Sequence, residues 1–139
     1  ISFQRNSFMK VMHILDTSER VCFTDITSLV QKTIYDSKIK EGTALVFVPH
    51  TTAGVMINEN GDPDVLKDLK FAFEKIVPNK GFLHYEGNSD SHTKSLLTSC
   101  SLSLIISDSK LVLGTWQSVY FAEYDGPRTR KIYIKIMEG

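Results

Sequence analysis

The sequence predicts a single-domain α+β protein with a β-sandwich-like core of mostly antiparallel strands and two or three helices. Three observations carry this expectation. Apolar or alternating runs of strand length recur along the chain. Helix signals with recognisable starts and stops are interspersed among them. The 139 residues contain no internal repeat, low-complexity tract or linker, so residues 1–139 form one domain. A chain of this size buries roughly two-thirds of its unfolded surface.

The elements follow in order. Residues 8–14 partly alternate and read as a strand, with a short second one at Val21–Phe23. Thr27 is placed to cap a helix over about 28–39, with Leu29, Val30, Ile34 and Ile39 near helical spacing and Gly42 ending it. Thr43–Val48 is a continuous apolar run suited to a strand covered on both faces, and residues 53–58 form another. Asp62-Pro63-Asp64 is the strongest helix start: a capping carboxylate, a first-turn proline and a charge that complements the dipole. That helix runs to Val77 before Pro78, burying a stripe of Val65, Leu69, Phe73, Ile76 and Val77. Ser89 or Asp90 caps a shorter helix carrying Leu96 and Leu97. Residues 101–107 alternate, Asp108-Ser109-Lys110 turns a hairpin into Leu111–Leu113, and strands at 117–124 and 130–137 complete the chain. In the last strand Ile132, Ile134 and Ile136 alternate with Tyr133 and Lys135.

Sixteen basic residues balance sixteen acidic ones, which disfavours a nucleic-acid or anionic-lipid partner. No apolar run approaches the roughly 18 residues of a membrane span. Cys22 and Cys100 are too few and too far apart for a disulfide framework; both read as small buried hydrophobes in a reducing, cytoplasmic protein. Residues 1–5 show no signal-peptide pattern, and the absence of an initiator methionine suggests that residues precede them.

Chemistry concentrates in the histidines. His50 ends a buried strand beside Thr51 and Thr52, hydroxyls suited to orienting an imidazole or an anion. The plainer alternative is a strand-end histidine bonded to a backbone carbonyl. His84 and His92 bracket a polar segment in which Gly87-Asn88 allows a tight turn and Asp90 lies two positions before His92. A loop entering a helix can fold the two imidazoles onto one centre; a solvated loop with incidental histidines is the alternative. Two or three imidazoles, with or without a carboxylate, hold a divalent metal ion, zinc or magnesium. Glu59 suits a general base, or equally a loop carboxylate bonding backbone. Trp116 offers a stacking surface, or simply core. Arg128 and Arg130 suit phosphate clamping, or a solvated hairpin. Nucleotide-binding glycine loops, the His-Glu-x-x-His signature and the Gly-x-Ser-x-Gly elbow are absent.

Taken in order, Asp25-Ile26-Thr27, His50-Thr51-Thr52-Ala53-Gly54, Ile57-Asn58-Glu59-Asn60, Asp62-Pro63-Asp64-Val65, His84, Glu86 to His92, Leu113 to Gln117 and Glu123 to Arg128 resemble the YjbQ family. The resemblance spans nearly the whole chain. It implies a compact α+β fold with a β-sandwich core, assembled as a homotrimer with sites near subunit boundaries. It also implies a low, secondary thiamine-phosphate synthase activity, which joins a pyrimidine pyrophosphate to a thiazole phosphate. Two departures stand out: Gly61, where relatives often carry Ala, and Ser118, where Gly is common and where a side chain would crowd the Trp116 loop.

The leading expectation is therefore an enzyme with His50, His84 and His92 around a divalent metal. Glu59, Asp90 and Arg128 are its candidate catalytic residues, and Thr51, Thr52, Asn88, Trp116, Gln117 and Arg130 contact a small phosphorylated metabolite. The alternatives are a metal-dependent phosphatase or hydrolase, and a trimeric metal- or ligand-binding protein without turnover.

Overall fold

The computed structural model describes residues 7–139, so the reading of the amino terminus at residues 1–5 lies outside the described residues. The order is β1 (Phe8–Asp16), β2 (Cys22–Asp25), α1 (Thr27–Ser37), β3 (Gly42–Phe47), β4 (Ala53–Glu59), α2 (Pro63–Ile76), α3 (Ser89–Leu97), β5 (Ser101–Ser107), β6 (Lys110–Leu111), β7 (Gln117–Glu123) and β8 (Thr129–Glu138). Two antiparallel sheets result: a five-stranded one ordered β1-β8-β3-β5-β6 and a three-stranded one ordered β2-β7-β4. This is the expected α+β sandwich.

The main core lies between the sheets. β8 contributes Ile132, Ile134 and Ile136, each fully buried as the alternation predicts; Val46 joins them from β3, Val55 from β4 and Phe121 from β7. α1 closes this core with Val30 and Ile34. The three-stranded sheet is covered on its other face too, where Val21, Ala122 and Tyr124 pack against Phe23 and against Phe73 of α2. β4 and β7 are thus buried on both sides, which is why β7 is apolar nearly throughout.

Several local expectations are corrected. Thr27 does not cap α1; its Oγ1 accepts from the Val119 amide at 2.8 Å, tying the helix start to β7. The helix ends in a left-handed residue, Lys38 (φ 61°), rather than at Gly42. Gly42 belongs to β3, where a Cβ would sit 1.9 Å from the Met137 carbonyl oxygen. Asp62 caps α2 as read, accepting from the Asp64 amide at 2.9 Å. The α2 stripe is only partly buried: Val77 is covered, Val65, Leu69 and Phe73 are half-buried, and Ile76 is 64% exposed. Neither Ser89 nor Asp90 caps α3, whose N-cap is Asn88, and Leu96 and Leu97 are exposed while Asp90, Ser91 and Lys94 are buried. Cys100 is exposed and Cys22 half-buried, not core. Among the described residues no helix is long and apolar enough to cross a membrane.

Candidate functional site

The inward rows of β7 and β8 run Val119, Phe121, Glu123 and Ile136, Ile134, Ile132, Arg130. Their last members meet at one end of the sandwich. Arg130 donates through Nε to Glu123 Oε1 at 2.8 Å and through Nη2 to Oε2, and Nη2 also reaches Thr52 Oγ1 at 2.8 Å. Glu123 also accepts from Thr17 Oγ1 (2.7 Å) and from the amides of Tyr124 and Asp125 (both 3.0 Å). Burial pushes the Glu123 carboxyl up, but the bonds from Arg130 and Thr17 outweigh it and hold the group below its ordinary value. Arg130 and Thr52 are therefore buried inside a satisfied network rather than presented as an open clamp.

His50 lies beside this pair. Its Nε2 accepts from the Lys131 amide at 2.9 Å, which leaves the ring proton on Nδ1. Burial, aided by the Arg130 charge, pushes its pKa down, so the ring is neutral. The plainer alternative, a strand-end histidine on a backbone carbonyl, is corrected: His50 lies three residues beyond β3 and its backbone partner is an amide that donates to it. α3 docks next to it: His92 Nδ1 donates to the Thr51 carbonyl at 3.1 Å, and Ser95 Oγ donates to the same oxygen at 2.9 Å. The close approach needs Gly54, whose Cβ would lie 2.4 Å from Thr98 Oγ1. With Nδ1 engaged, the His92 Nε2 lone pair is free.

The three histidines come together pairwise around His92. His50, Thr51 and His92 line one cavity of about 480 Å³ with Cys100, a residue whose sequence context pointed to core. His84 and His92 line a neighbouring cavity of about 690 Å³, their ring centres 5.4 Å apart at 77°. Among the described residues no group of three or more His, Cys, Asp or Glu side chains is arranged to hold a metal ion.

The remaining candidates lie elsewhere. Asp90 is two positions from His92 on α3, hence about 200° round the helix. It faces away from the imidazoles, bonded to Arg20 Nη2 at 3.1 and 3.2 Å. Asn88 Nδ2 donates to Asp125 Oδ2 at 2.9 Å, and its Oδ1 is buried without a partner. Arg128 is half-exposed and pairs with Asp125 at 2.9 Å. Glu59, Trp116 and Gln117 gather at the far end of β4 and β7, where Glu59 is the register partner of Gln117. Six strand intervals separate Ala53 from Glu59, roughly 20 Å. Trp116 is 63% exposed, not core, and covers Gly61, where a Cβ would be 2.8 Å from the ring. Ser118 is buried opposite Asn58. Sequence reasoning gave no role to Glu123, Arg20 or Lys94. The Asp90–Lys94 spacing of one helical turn was a readable signal for the last; Arg20, 70 positions from Asp90, had none.

Comparison with known proteins places the sequence and the fold in one family. The family model described as UPF0047 protein YjbQ-like matches residues 12–139. A UPF0047 protein of Methanocaldococcus jannaschii is 49% identical over 124 residues, covering 88% of this chain and 90% of that one. The UPF0047 protein YugU of Bacillus subtilis is 46% identical over 125 residues, covering 88% and 95%. The crystal structure of an uncharacterized YjbQ/UPF0047 protein from Clostridium acetobutylicum superposes with a TM-score of 0.89 at 48% identity, covering 91% of this chain and 99% of that one. A protein of unknown function from Sulfolobus solfataricus gives 0.90 at 27% identity, covering 95% and 98%.

Proposed function

We propose, given that the chain belongs to the UPF0047 YjbQ-like family, that it binds a small phosphorylated metabolite at the cleft around His92, with a divalent ion (zinc or magnesium) between His84 and His92. One observation carries the reading: His92 is fixed through Nδ1 on the Thr51 carbonyl, which leaves the Nε2 lone pair free, and its ring lines the cleft it shares with His84. Two imidazoles around one tetrahedral ion, each nitrogen about 2.1 Å from it, have ring centres roughly 5 Å apart. The 5.4 Å separation of the two rings fits that arrangement. The ion would supply charge neutralisation at a phosphoryl group. The chain's own groups orient the ligand: His50 offers Nδ1–H and Thr51 its hydroxyl.

The chemistry proposed is a transferase reaction of the thiamine-phosphate synthase type, as a secondary activity. Neither candidate carboxylate stands beside the imidazoles within one chain: Glu59 is at the opposite end of β4, and Asp90 is bonded to Arg20. The outer face of the five-stranded sheet carries Met12, Tyr133 and Phe47 as a cross-strand row, with Phe8 and Ile105 nearby. Such an uncovered apolar face suits self-association, and a homotrimer whose sites combine residues of neighbouring subunits is the assembly proposed.

Elemental analysis and turnover of the pyrimidine pyrophosphate and thiazole phosphate pair, with and without chelator, test this. The expected result is bound metal and a turnover lost on chelation, with circular dichroism unchanged. Full turnover without metal overturns the metal reading; no turnover with metal bound favours the non-catalytic binding protein. Sedimentation of Phe47→Glu tests assembly: a trimer that falls to monomers supports it, and a wild-type monomer ends it.

A further inference from the structure

We propose that the cavity between the end of α2 and the inner face of α3 is a binding site for a small, singly charged oxyanion, held by the ammonium of Lys94 and the guanidinium of Arg20. It is separate from the histidine cleft, because Lys94 lies about 200° round α3 from His92. The cavity, of about 480 Å³, is walled by Arg20, Asn79, Asp90, Lys94 and, at its rim, Glu74.

Lys94 is the telling residue. Its side chain is 4% exposed, yet among the described residues its Nζ has no hydrogen-bond partner, and it stands 3.7 Å from Asp90 Oδ2. Lys94 lines the cavity. An ammonium carries three donors, and burying them unpaired is costly. Asp90 does not meet that demand, since both its oxygens already accept from Arg20 Nη2, at 3.1 and 3.2 Å. Among the lining residues Arg20 and Lys94 are matched in number by Asp90 and Glu74, so what the wall lacks is acceptors for the buried ammonium. A carboxylate or a monoanionic phosphate supplies those acceptors. Arg20, half-exposed, has Nη1 left to donate to the same group, and Asn79 adds an amide. Glu74 at the rim disfavours a doubly charged ligand.

Isothermal titration of the full chain with sodium phosphate and, separately, sodium acetate at constant ionic strength tests the site and tells the two anions apart. Saturable binding of one equivalent per chain is expected for at least one of them. Lys94→Met, which keeps the length of the side chain, weakens that binding at least tenfold. Absence of saturable heat with either anion overturns the proposal, leaving solvent as the occupant. So does Lys94→Met titrating like the wild type. Should Lys94→Met fail to fold, Arg20→Gln, altered at a half-exposed position, is expected to weaken binding at least threefold, and unchanged binding there also overturns it.

Discussion

Arg130 and Glu123 face each other from β8 and β7 across one end of the sandwich, 4% and 0% exposed, with both carboxylate oxygens of Glu123 taken by the guanidinium. The pair ends the apolar rows of both sheets and is bonded in turn to Thr52 and Thr17. A charge pair can occupy a core only when every lone pair and proton finds a partner, and Glu123 accepts five bonds here.

Breaking the pair from one side should therefore cost stability rather than ligand affinity alone. Arg130→Met strands a buried carboxylate, and a loss of about 3–5 kcal/mol is expected in urea denaturation. A phosphate-clamping arginine would behave otherwise, weakening phosphate binding with the denaturation midpoint unchanged.

The same network sets the acid limit of the fold. Glu123 titrates below its ordinary value of 4.5 when folded, as the bonds from Arg130 and Thr17 overcome burial. Asp90 and Asp125 shift in the same direction, each through bonds and charges that outweigh burial. Between the unfolded and folded pKa the unfolded chain holds more protons. The stabilisation is thus complete above about pH 4.5 and drains as pH falls through the lowered folded values. Denaturation midpoints measured down the acid range should fall steeply for the wild type and more gently for Glu123→Gln, whose starting stability is lower. An equal slope in both would remove Glu123 from the account.

The histidines separate by role under metal titration. His84→Ala and His92→Ala each remove one imidazole from the proposed ion, so zinc affinity should drop by tenfold or more in each, with circular dichroism retained. His50 already spends Nε2 on the Lys131 amide, and coordination through Nδ1 would need that proton gone. His50→Ala is accordingly expected to bind zinc as the wild type does while losing ligand affinity. Equal loss in all three variants would put His50 back among the ligands.

What could be read from the residues followed the range of the forces involved. The cap at Asp62 and the alternation of Ile132, Ile134 and Ile136 are local, and both stand as expected. Periodicity on α2 marks an apolar face without saying what covers it, and Ile76 is left 64% exposed. Spacing also misleads where an element carries neighbours apart. Asp90 and His92 are adjacent in a loop but opposed on α3, and β4 moves Glu59 away from the histidine next to which it is read. Arg130 reads as a turn residue by composition, although the parity of Ile132, Ile134 and Ile136 carried back two positions points it inward; its partner Glu123, on β7, is what that alternation does not identify.

Gly61 offers a test of the far end of the sheet. A Cβ there would meet Cε3 and Cζ3 of Trp116 at 2.8 Å. The loop backbone is pinned, because the Asn60 amide donates to the Trp116 carbonyl at 3.0 Å and Asn60 Nδ2 reaches the Thr115 carbonyl at 3.3 Å. The ring, 63% exposed, is the part free to yield. Gly61→Ala should therefore swing the indole outward at a cost within roughly 0.5 kcal/mol, as for other surface changes. Trp116 is the only tryptophan, so its fluorescence reports the movement without interference, shifting to longer wavelength as the ring enters water. An unchanged spectrum with lowered stability would instead mean that the backbone, not the ring, gave way.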